Sequence, residues 1–273
     1  MLPMYEVYAM RYATVARQRR ENFIVTDMHD ASMPMDYFVW VVRGNGRIWL
    51  VDTGFNEAAA RGRGRVLLRS PVAALAILGI SVEQVADVII THLHYDHAGN
   101  IDLLPNARFH LQERELQYAT GRHMCHDVLR HAYAVEDVVN LVRGVYEKRV
   151  DFYLGDDELA PGLQLIHVGG HTEGLQSVRV HTKRGWVVLA SDASHFYENI
   201  HRESPFPIVV NMADMLVGYQ RLLALCDSPD HLVPGHDPLV LARYPHFGDP
   251  ANEVVCLHES PVSALPFQAV ASH

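Results

Sequence analysis

The sequence predicts an α/β protein folded as an αβ/βα four-layer sandwich, with two β-rich halves between outer layers of helices. Strand-like apolar runs cluster around residues 37–52 and return over residues 163–190, and helical spacing dominates much of the stretch between them. Two sheets with a helical layer on each outer face bury all of their apolar surfaces. With 273 residues and 49% hydrophobic content, the chain can fill such a core, and we expect one domain, residues 1–273.

Each predicted element follows from a local pattern. Gly44-Asn45-Gly46 lies between two β-rich runs and predicts a hairpin. Alanine and leucine dominate residues 67–79, which predicts a helix that ends at Gly79. Apolar and charged residues alternate at helical spacing over residues 112–148, so we expect a helical insertion there. The predicted elements are strands at 37–43, 47–52, 88–90, 108–111, 163–168, 175–180, 186–190 and 231–233, and helices at 67–79, 81–84, 112–148 and 212–226.

Four metal-binding side chains follow the buried strand at 88–90 within six residues: His92, His94, Asp96 and His97. A regular helix or strand cannot direct all four to one ion, so the pattern favours a loop that divides its ligands between two neighbouring cations. Open α/β sheets place their chemistry at the carboxyl ends of strands. Downstream, three apolar segments end in small residues followed by a candidate ligand: His171, Asp192 and His236.

These motifs resemble those of the metallo-β-lactamase superfamily over nearly the whole chain. The resemblance rests on Asp52-Thr53-Gly54 after an early strand, on the His-x-His-x-Asp-His loop, and on the three later candidates in the same order. Within the superfamily the chain is most similar to the N-acyl-homoserine lactonase group, because Tyr197 follows shortly after Ser191-Asp192-Ala193-Ser194. The resemblance implies the metallo-β-lactamase fold, which is the αβ/βα sandwich predicted above.

The resemblance also implies two divalent metal ions and a division of ligands between them. One cation would be bound by His92, His94 and His171, the other by Asp96, His97 and His236, and Asp192 would bridge both. Zinc suits this set of imidazoles and carboxylates, and iron, manganese or cobalt could occupy it as well. Asp52 is expected to hold the His-x-His-x-Asp-His segment in place without binding an ion. We call this segment, residues 92–97, the metal loop.

The function implied by the resemblance is hydrolytic opening of a lactone ring by a hydroxide that bridges the two metal ions. The substrate would be an N-acyl-homoserine lactone, which makes the reaction quorum quenching, or a related small lactone. Asp96 would pass the proton to the leaving alkoxide. In the lactonase group a tyrosine three residues after the bridging aspartate contacts the substrate carbonyl. This sequence has His195 there and Tyr197 two residues later, and both are candidate donors.

Two alternatives stay open at this point. The first is hydrolysis of a thioester, or of a cyclic amide in a catabolic pathway. The second is a metal-binding sensor or scaffold without catalysis. Asp192 stands where a subclass of true β-lactamases has cysteine, and His94 stands where the flavodiiron oxygen reductases have glutamate. Both differences favour a di-metal hydrolase.

Composition limits the partners. The formal net charge is −9, from 23 basic and 32 acidic residues, so nucleic acid is not an expected partner. The longest apolar run, residues 72–80, is too short to span a bilayer, and the N-terminus lacks the apolar core of a signal peptide. Three scattered cysteines indicate a reduced, cytoplasmic enzyme. The helical insertion at 112–148 could cap the site, form the surface of a homodimer, or do both.

Overall fold

The computed structural model describes residues 2–25 and 30–266, and its strands form two β-sheets. The strands in chain order are β1 (Glu6–Val15), β2 (Met35–Gly44), β3 (Arg47–Val51), β4 (Val66–Leu67), β5 (Asp87–Ile89), β6 (Arg108–Gln112), β7 (Val150–Tyr153), β8 (Asp157–Ala160), β9 (Leu163–His167), β10 (Gln176–Thr182), β11 (Gly185–Ser191), β12 (Leu232–Pro234) and β13 (Val254–Cys256). The α-helices are α1 (Glu57–Arg63), α2 (Tyr95–Ala98), α3 (Glu113–Thr120), α4 (Asp127–Arg130), α5 (Val135–Tyr146), α6 (Tyr197–His201), α7 (Met212–Leu225) and α8 (Leu239–Arg243).

The strand directions place several strand ends at one rim of the molecule. Sheet one has the order β13-β1-β2-β3-β5-β6-β7, with β4 paired to β1. Its strands β3, β5, β6 and β7 run parallel to one another. Sheet two has the order β12-β11-β10-β9-β8 and is antiparallel except for the parallel pair of β11 and β12. The loops that follow β5, β11 and β12 lie at the carboxyl ends of these strands, where open α/β sheets bind their ligands.

Three apolar cores separate the layers, and the predicted αβ/βα four-layer sandwich is confirmed. The central core lies between the two sheets and includes Trp40 and Leu165. A second core covers the other face of sheet one and includes Leu141 of α5. A third core covers the other face of sheet two and includes Leu222 of α7. Each sheet therefore buries both of its faces, which is why strands such as β11 read as continuous apolar runs.

The hairpin predicted at Gly44-Asn45-Gly46 is confirmed. Strands β2 and β3 pair antiparallel on either side of it. The φ angles of Asn45 and Gly46 are 51° and 73°, and two successive positive φ values give the turn a twist that matches the flanking strands. The local sequence was sufficient here because asparagine and glycine reach this backbone conformation at the lowest cost.

The single helix predicted over residues 67–79 is wrong. The segment starts in β4, which pairs with β1. A short 3₁₀ helix, Ala73–Leu78, occupies its second half and ends at Gly79, whose φ is 71°. Pro71 supplies the physical reason, because a proline ring disfavours the helical conformation in the residue before it. The predicted stop at Gly79 is therefore confirmed, while the predicted start is not.

Strand β1 had no counterpart among the predicted elements, although it lies in the interior of sheet one. It pairs with β2 along its whole length and with β13 on its other side. Its sequence mixes two valines, two tyrosines and a threonine, which favour strands, with two alanines, which disfavour them. Most of its residues are buried on both faces of the sheet, so the alternation of apolar and polar residues that marks a half-exposed strand is absent.

The range 112–148 holds α3, α4 and α5. It connects β6 to β7, which pair in parallel, so the segment forms a crossover on the outer side of sheet one. Within residues 2–25 and 30–266, no helix is long and apolar enough to cross a membrane. Cys125, Cys226 and Cys256 are free thiols.

Buried Asp137 on α5 leads to a prediction about stability. Burial, reinforced by the nearby negative charge of Asp102, raises the pKa of Asp137 to about 7. A carboxyl with a raised pKa in the folded state favours folding when protonated, so its contribution is full below about pH 4 and is lost as the pH rises through 7. We expect Asp137→Asn to gain stability over the native chain between pH 5 and pH 8.5, by roughly 2–3 kcal/mol.

Urea unfolding of both proteins at pH 5 and pH 8.5 measures this difference. Exposed Asp127 on α4 provides the control, since Asp127→Asn should change stability equally at the two pH values. A gain for Asp137→Asn that does not depend on pH would contradict the prediction.

A candidate dinuclear metal site

The seven predicted metal ligands lie at the ends of four strands, on one rim of the sandwich. His92 and His94 lie in the loop after β5, and Asp96 and His97 lie in the short helix α2 that continues it. The three later residues follow three strands of sheet two: His171 after β9, Asp192 after β11 and His236 after β12. All seven side chains are buried.

The side chains gather into two neighbouring groups of donor atoms. Within each group, one donor atom from every residue lies within 4.8 Å of the others. The first group is His92, His94, His171 and Asp192, and the second is Asp96, His97 and His236. A third set, Asp192, His195 and His236, overlaps both. The first two are the sets that the resemblance implied, and residues from both sheets contribute to them.

Asp192 lies between the two groups and presents one oxygen to each. Its Oδ2 is 3.2 Å from His171 Nε2 and 3.7 Å from His92 Nε2. Its Oδ1 is 2.9 Å from His236 Nε2 and 3.2 Å from His97 Nε2. A carboxylate with its two oxygens facing separate sets of donors has the geometry needed to bridge two cations.

Hydrogen bonds behind three of the imidazoles fix which nitrogen faces the cluster. His171 Nδ1 lies 2.7 Å from the carbonyl oxygen of Ile208, and His236 Nδ1 lies 2.9 Å from that of Asp36. His97 Nδ1 lies 2.7 Å from a carboxylate oxygen of Asp52. Because an acceptor holds the Nδ1 proton in each case, the lone pair of Nε2 points inward, which is the arrangement found behind metal-binding histidines.

The donor set fits two cations in a further respect. The Nε2 atom of His92 is buried, and it has no hydrogen-bond partner among the described residues. Buried polar atoms without a partner are costly and uncommon. Burial lowers the pKa of His92 and His94 well below the usual value, which keeps these imidazoles neutral and their lone pairs available for a metal ion. At His97 and His236 the Asp192 carboxylate outweighs burial and raises the pKa, so a metal ion would displace a proton there.

Asp52 supports the metal loop, in the position that the resemblance implied. It follows β3, has a φ of 62°, and points its carboxylate at the loop. One oxygen accepts a hydrogen bond from the amide of Thr91 at 2.7 Å, and the other accepts one from the Thr91 hydroxyl at 2.8 Å. The second oxygen also contacts His97, so this one side chain holds both the start of the loop and one of its imidazoles.

Glu115 has a similar position and was missed by the sequence analysis. This fully buried residue of α3 accepts hydrogen bonds from the amide of Leu93 at 2.9 Å and from that of Gly174 at 3.1 Å. The hydroxyls of Thr172 and Tyr133 donate to it as well, at 2.6 Å and 3.2 Å. The carboxylate therefore ties the metal loop to the loop that carries His171. A glutamate inside a predicted amphipathic helix gives no local signal for this role.

The structure separates the two candidate donors, His195 and Tyr197. His195 Nε2 lies 3.1 Å from Asp192 Oδ2, and the His195 ring stacks on Phe206 with centroids 3.9 Å apart. Its Nδ1 is buried without a hydrogen-bond partner among the described residues. Tyr197 lies instead in the core between the sheets, with the Arg243 guanidinium 4.9 Å from its ring centre. The structure does not bring its phenol to the site.

A cavity of about 230 Å³ opens beside the cluster. His94, Asp96, Asp192 and His195 form its polar side, and Met35 and residues 206–208 form its apolar side. Three arginines also line it: Arg17, Arg63 and Arg65. A small organic molecule in this cavity would touch the candidate metal ligands directly.

Comparison with known proteins places these features in a family. The sequence profile of the metallo-beta-lactamase superfamily matches residues 34–246. An N-acyl homoserine lactonase from a Bacillus species is 34% identical over 173 residues, which cover 58% of this chain and 63% of the relative. The chain thus matches less than two thirds of that protein's length. A probable metallo-hydrolase from Mycobacterium tuberculosis is 26% identical over 238 residues, which cover 81% of this chain and 74% of the relative.

Solved structures agree on the fold. One is an N-acyl homoserine lactone hydrolase with the product N-hexanoyl-L-homoserine bound at its catalytic metal center; it superposes with a TM-score of 0.72 at 22% identity, covering 88% of this chain and 96% of that one. The profile match contains the whole metal loop and the three later candidate ligands. Since it spans well over half of the sequence, this chain belongs to the metallo-β-lactamase superfamily.

Proposed function

We propose that this protein is a metal-dependent hydrolase that opens a lactone ring, in an N-acyl-homoserine lactone or a related small lactone. One observation carries the proposal: Asp192 offers its two oxygens to two separate groups of buried donors, next to a cavity of small-molecule size. The Bacillus relative, an N-acyl homoserine lactonase, supports the lactone as substrate.

We assign His92, His94 and His171 to one cation, Asp96, His97 and His236 to the other, and Asp192 to both. When bound, two divalent cations supply Lewis acidity and a nucleophilic water at neutral pH. Zinc is our choice of metal, because neutral imidazoles and carboxylates suit it and because one structurally similar lactonase is described as dizinc.

Two further side chains have proposed roles in the reaction. His195 is the candidate donor to the substrate carbonyl, since its ring lines the cavity and its Nε2 lies 3.1 Å from Asp192 Oδ2, beside the proposed metal ligands. Asp96 lines the same cavity and would carry the proton to the leaving alcohol. Tyr197 has no part in this scheme, because its ring is enclosed between the sheets.

The wider setting of the enzyme is also part of the proposal. We take residues 1–273 as one domain, with residues 112–148 as an insertion that forms one side of the site. Three free thiols support a reducing, cytoplasmic location. A homodimer through the insertion is compatible with exposed apolar side chains on its helices, such as Val128 and Val135.

Acid release from a panel of substrates tests the function. The panel contains N-butanoyl-, N-hexanoyl- and N-succinyl-homoserine lactone, a thioester and a cyclic amide, each with and without a chelator. We expect turnover of at least one lactone, its loss on chelation, and its recovery when two equivalents of zinc per chain are restored. Metal-loaded protein that opens no lactone in the panel would refute the proposal, and turnover of the thioester or amide alone would identify a different hydrolase.

A further inference from the structure

The cavity beside the candidate metal site has an unusual distribution of charge for an acidic protein. Arg17, Arg63 and Arg65 all line it, although the net charge of the chain is −9. In residues 2–25 and 30–266, no carboxylate lies within the ion-pair distance of 4.0 Å from any of these three guanidinium groups. Other arginines of this chain do have such a carboxylate partner, among them Arg47 with Asp87 at 2.8 Å.

Acidic groups near the cavity act on these arginines from beyond the ion-pair distance, Glu21 on Arg17 and Asp96 on Arg65. Glu21 lines the cavity, but its carboxylate accepts a hydrogen bond from the amide of Gln18 at 2.6 Å. Asp96 and Asp192 also line it, and both belong to the donor groups of the proposed metal site. Burial lowers the pKa of Arg17, and the negative charge of Glu21 offsets this effect only in part.

Protein contacts hold the guanidinium groups in place and leave some donors unused. Arg17 Nε donates to the side-chain oxygen of Asn22 and Arg17 Nη2 to the carbonyl of Glu21, both at 2.7 Å. Arg65 Nε donates to the hydroxyl of Tyr95 at 3.1 Å, and Arg65 Nη1 to the carbonyl of Arg63 at 2.8 Å. Arg17 Nη1 and Arg65 Nη2 have no hydrogen-bond partner in the described part of the chain.

Aromatic rings fix two of the three side chains further. The Arg17 guanidinium carbon lies 5.0 Å from the ring centre of Phe206, and that of Arg63 lies 3.9 Å from the ring centre of Tyr95. Arg63 also donates to the carbonyls of His131 and Tyr133, so its main role is to hold the wall of the cavity. Preorganised guanidinium donors are the groups that proteins use to bind carboxylates.

We propose that the lactone opened at this site carries a carboxylate, which Arg17 and Arg65 bind in the cavity beside the metal ligands. This inference rests on the proposed lactone hydrolysis and narrows its substrate class. A neighbouring cavity of about 110 Å³, which shares His94 with the first, is lined mainly by apolar residues such as Val128 and Tyr133, and it suits a short hydrocarbon group. We therefore place the carboxylate of the substrate in the arginine-lined cavity.

A matched pair of substrates tests the inference. N-succinyl-homoserine lactone presents a terminal carboxylate, and N-succinamoyl-homoserine lactone presents an uncharged amide of nearly the same shape. We expect the native enzyme to have a KM about 10- to 100-fold lower for the anionic lactone, the range for a hydrogen bond to a charged group. Arg17→Met and Arg65→Met should each remove most of this preference by raising the KM for the anionic lactone, with little change in kcat.

The control is Arg61→Met, a nearby exposed arginine of α1 that pairs with Glu57 at the surface. It should leave the preference unchanged. A melting curve for each variant checks folding, and the use of two independent arginine variants keeps the test valid if one of them fails to fold. Equal KM values for the two lactones in the native enzyme would overturn the inference while leaving lactone hydrolysis intact.

A binding measurement separates this inference from the proposed function. Calorimetric titration of the metal-loaded protein compares the affinities of succinate and succinamate. Both ligands have one carboxylate, and succinamate has an uncharged amide in place of the second. We expect succinate to bind about 10-fold tighter or more, and the difference to disappear in Arg65→Met. If no lactone is opened but this preference is present, the arginine site stands and the lactonase assignment fails. If succinate and succinamate bind equally, the arginine site is refuted.

Discussion

Asp192→Asn is expected to reduce kcat/KM for the lactone substrate by about 1000-fold or more, which corresponds to a loss of roughly 4 kcal/mol of transition-state stabilisation. The reason is the position of this carboxylate between the two donor groups, with Oδ2 facing His171 and Oδ1 facing His236. An amide of the same shape keeps one oxygen and places an NH₂ group toward the other side. It cannot act as an anionic bridge between two cations.

Metal content provides the direct readout for this variant. Elemental analysis after reconstitution should give about two zinc ions per native chain and one or fewer in Asp192→Asn. Ser194→Ala is a suitable control, because Ser194 lies in the same loop and donates its hydroxyl to the carbonyl of Phe196. It should keep both metal ions. Full metal content and near-native activity in Asp192→Asn would show that the bridging role is wrong.

Glu115→Gln is expected to have the second largest effect, through stability and metal affinity together. This buried carboxylate accepts four hydrogen bonds and donates none; two come from backbone amides and two from hydroxyl groups. A glutamine side chain would point its own NH₂ group at some of them and leave buried donors without an acceptor. Each such donor costs about 1–3 kcal/mol, so we expect a loss of roughly 2–5 kcal/mol in the free energy of unfolding.

The same substitution should weaken metal binding, because Glu115 holds Leu93 and Thr172, which lie next to His92, His94 and His171 in sequence. Side chains that orient metal ligands contribute about 10- to 100-fold to affinity. Chelator competition measures the change in metal affinity. Urea unfolding of the metal-free protein measures the change in the free energy of unfolding. Glu113→Gln, on the same helix, is the control, since its carboxylate accepts a hydrogen bond from Gln117 at the surface. Native metal affinity in Glu115→Gln would contradict the positioning role.

Glu115 also shows that the packing around the site is tight. A Cβ atom added at Gly174 would lie 2.3 Å from the backbone nitrogen of Glu115. Only glycine permits this approach of the His171 loop to α3, since any larger residue would collide with backbone. The contact that organises two ligand loops therefore depends on one glycine and one carboxylate that are far apart in the sequence.

The sequence by itself predicted the fold class and identified the seven candidate metal ligands. His92, His94, Asp96 and His97 are close in the chain, and each later candidate follows an apolar segment, so local patterns and their order were sufficient. The Gly44-Asn45-Gly46 hairpin and most strands of sheet two were also predictable. In these cases a periodic pattern or a glycine with positive φ acts over a few residues, where sequence neighbours are also spatial neighbours.

Only the tertiary structure decided which remaining side chains reach the site. It separates His195 from Tyr197, places Glu115 behind two loops, and brings Arg17 and Arg65 to the same cavity. It also makes β1 an interior strand. These outcomes depend on distances between segments that are remote in the chain, and side-chain burial and hydrogen bonding act through space. Residue spacing along the sequence does not contain those distances.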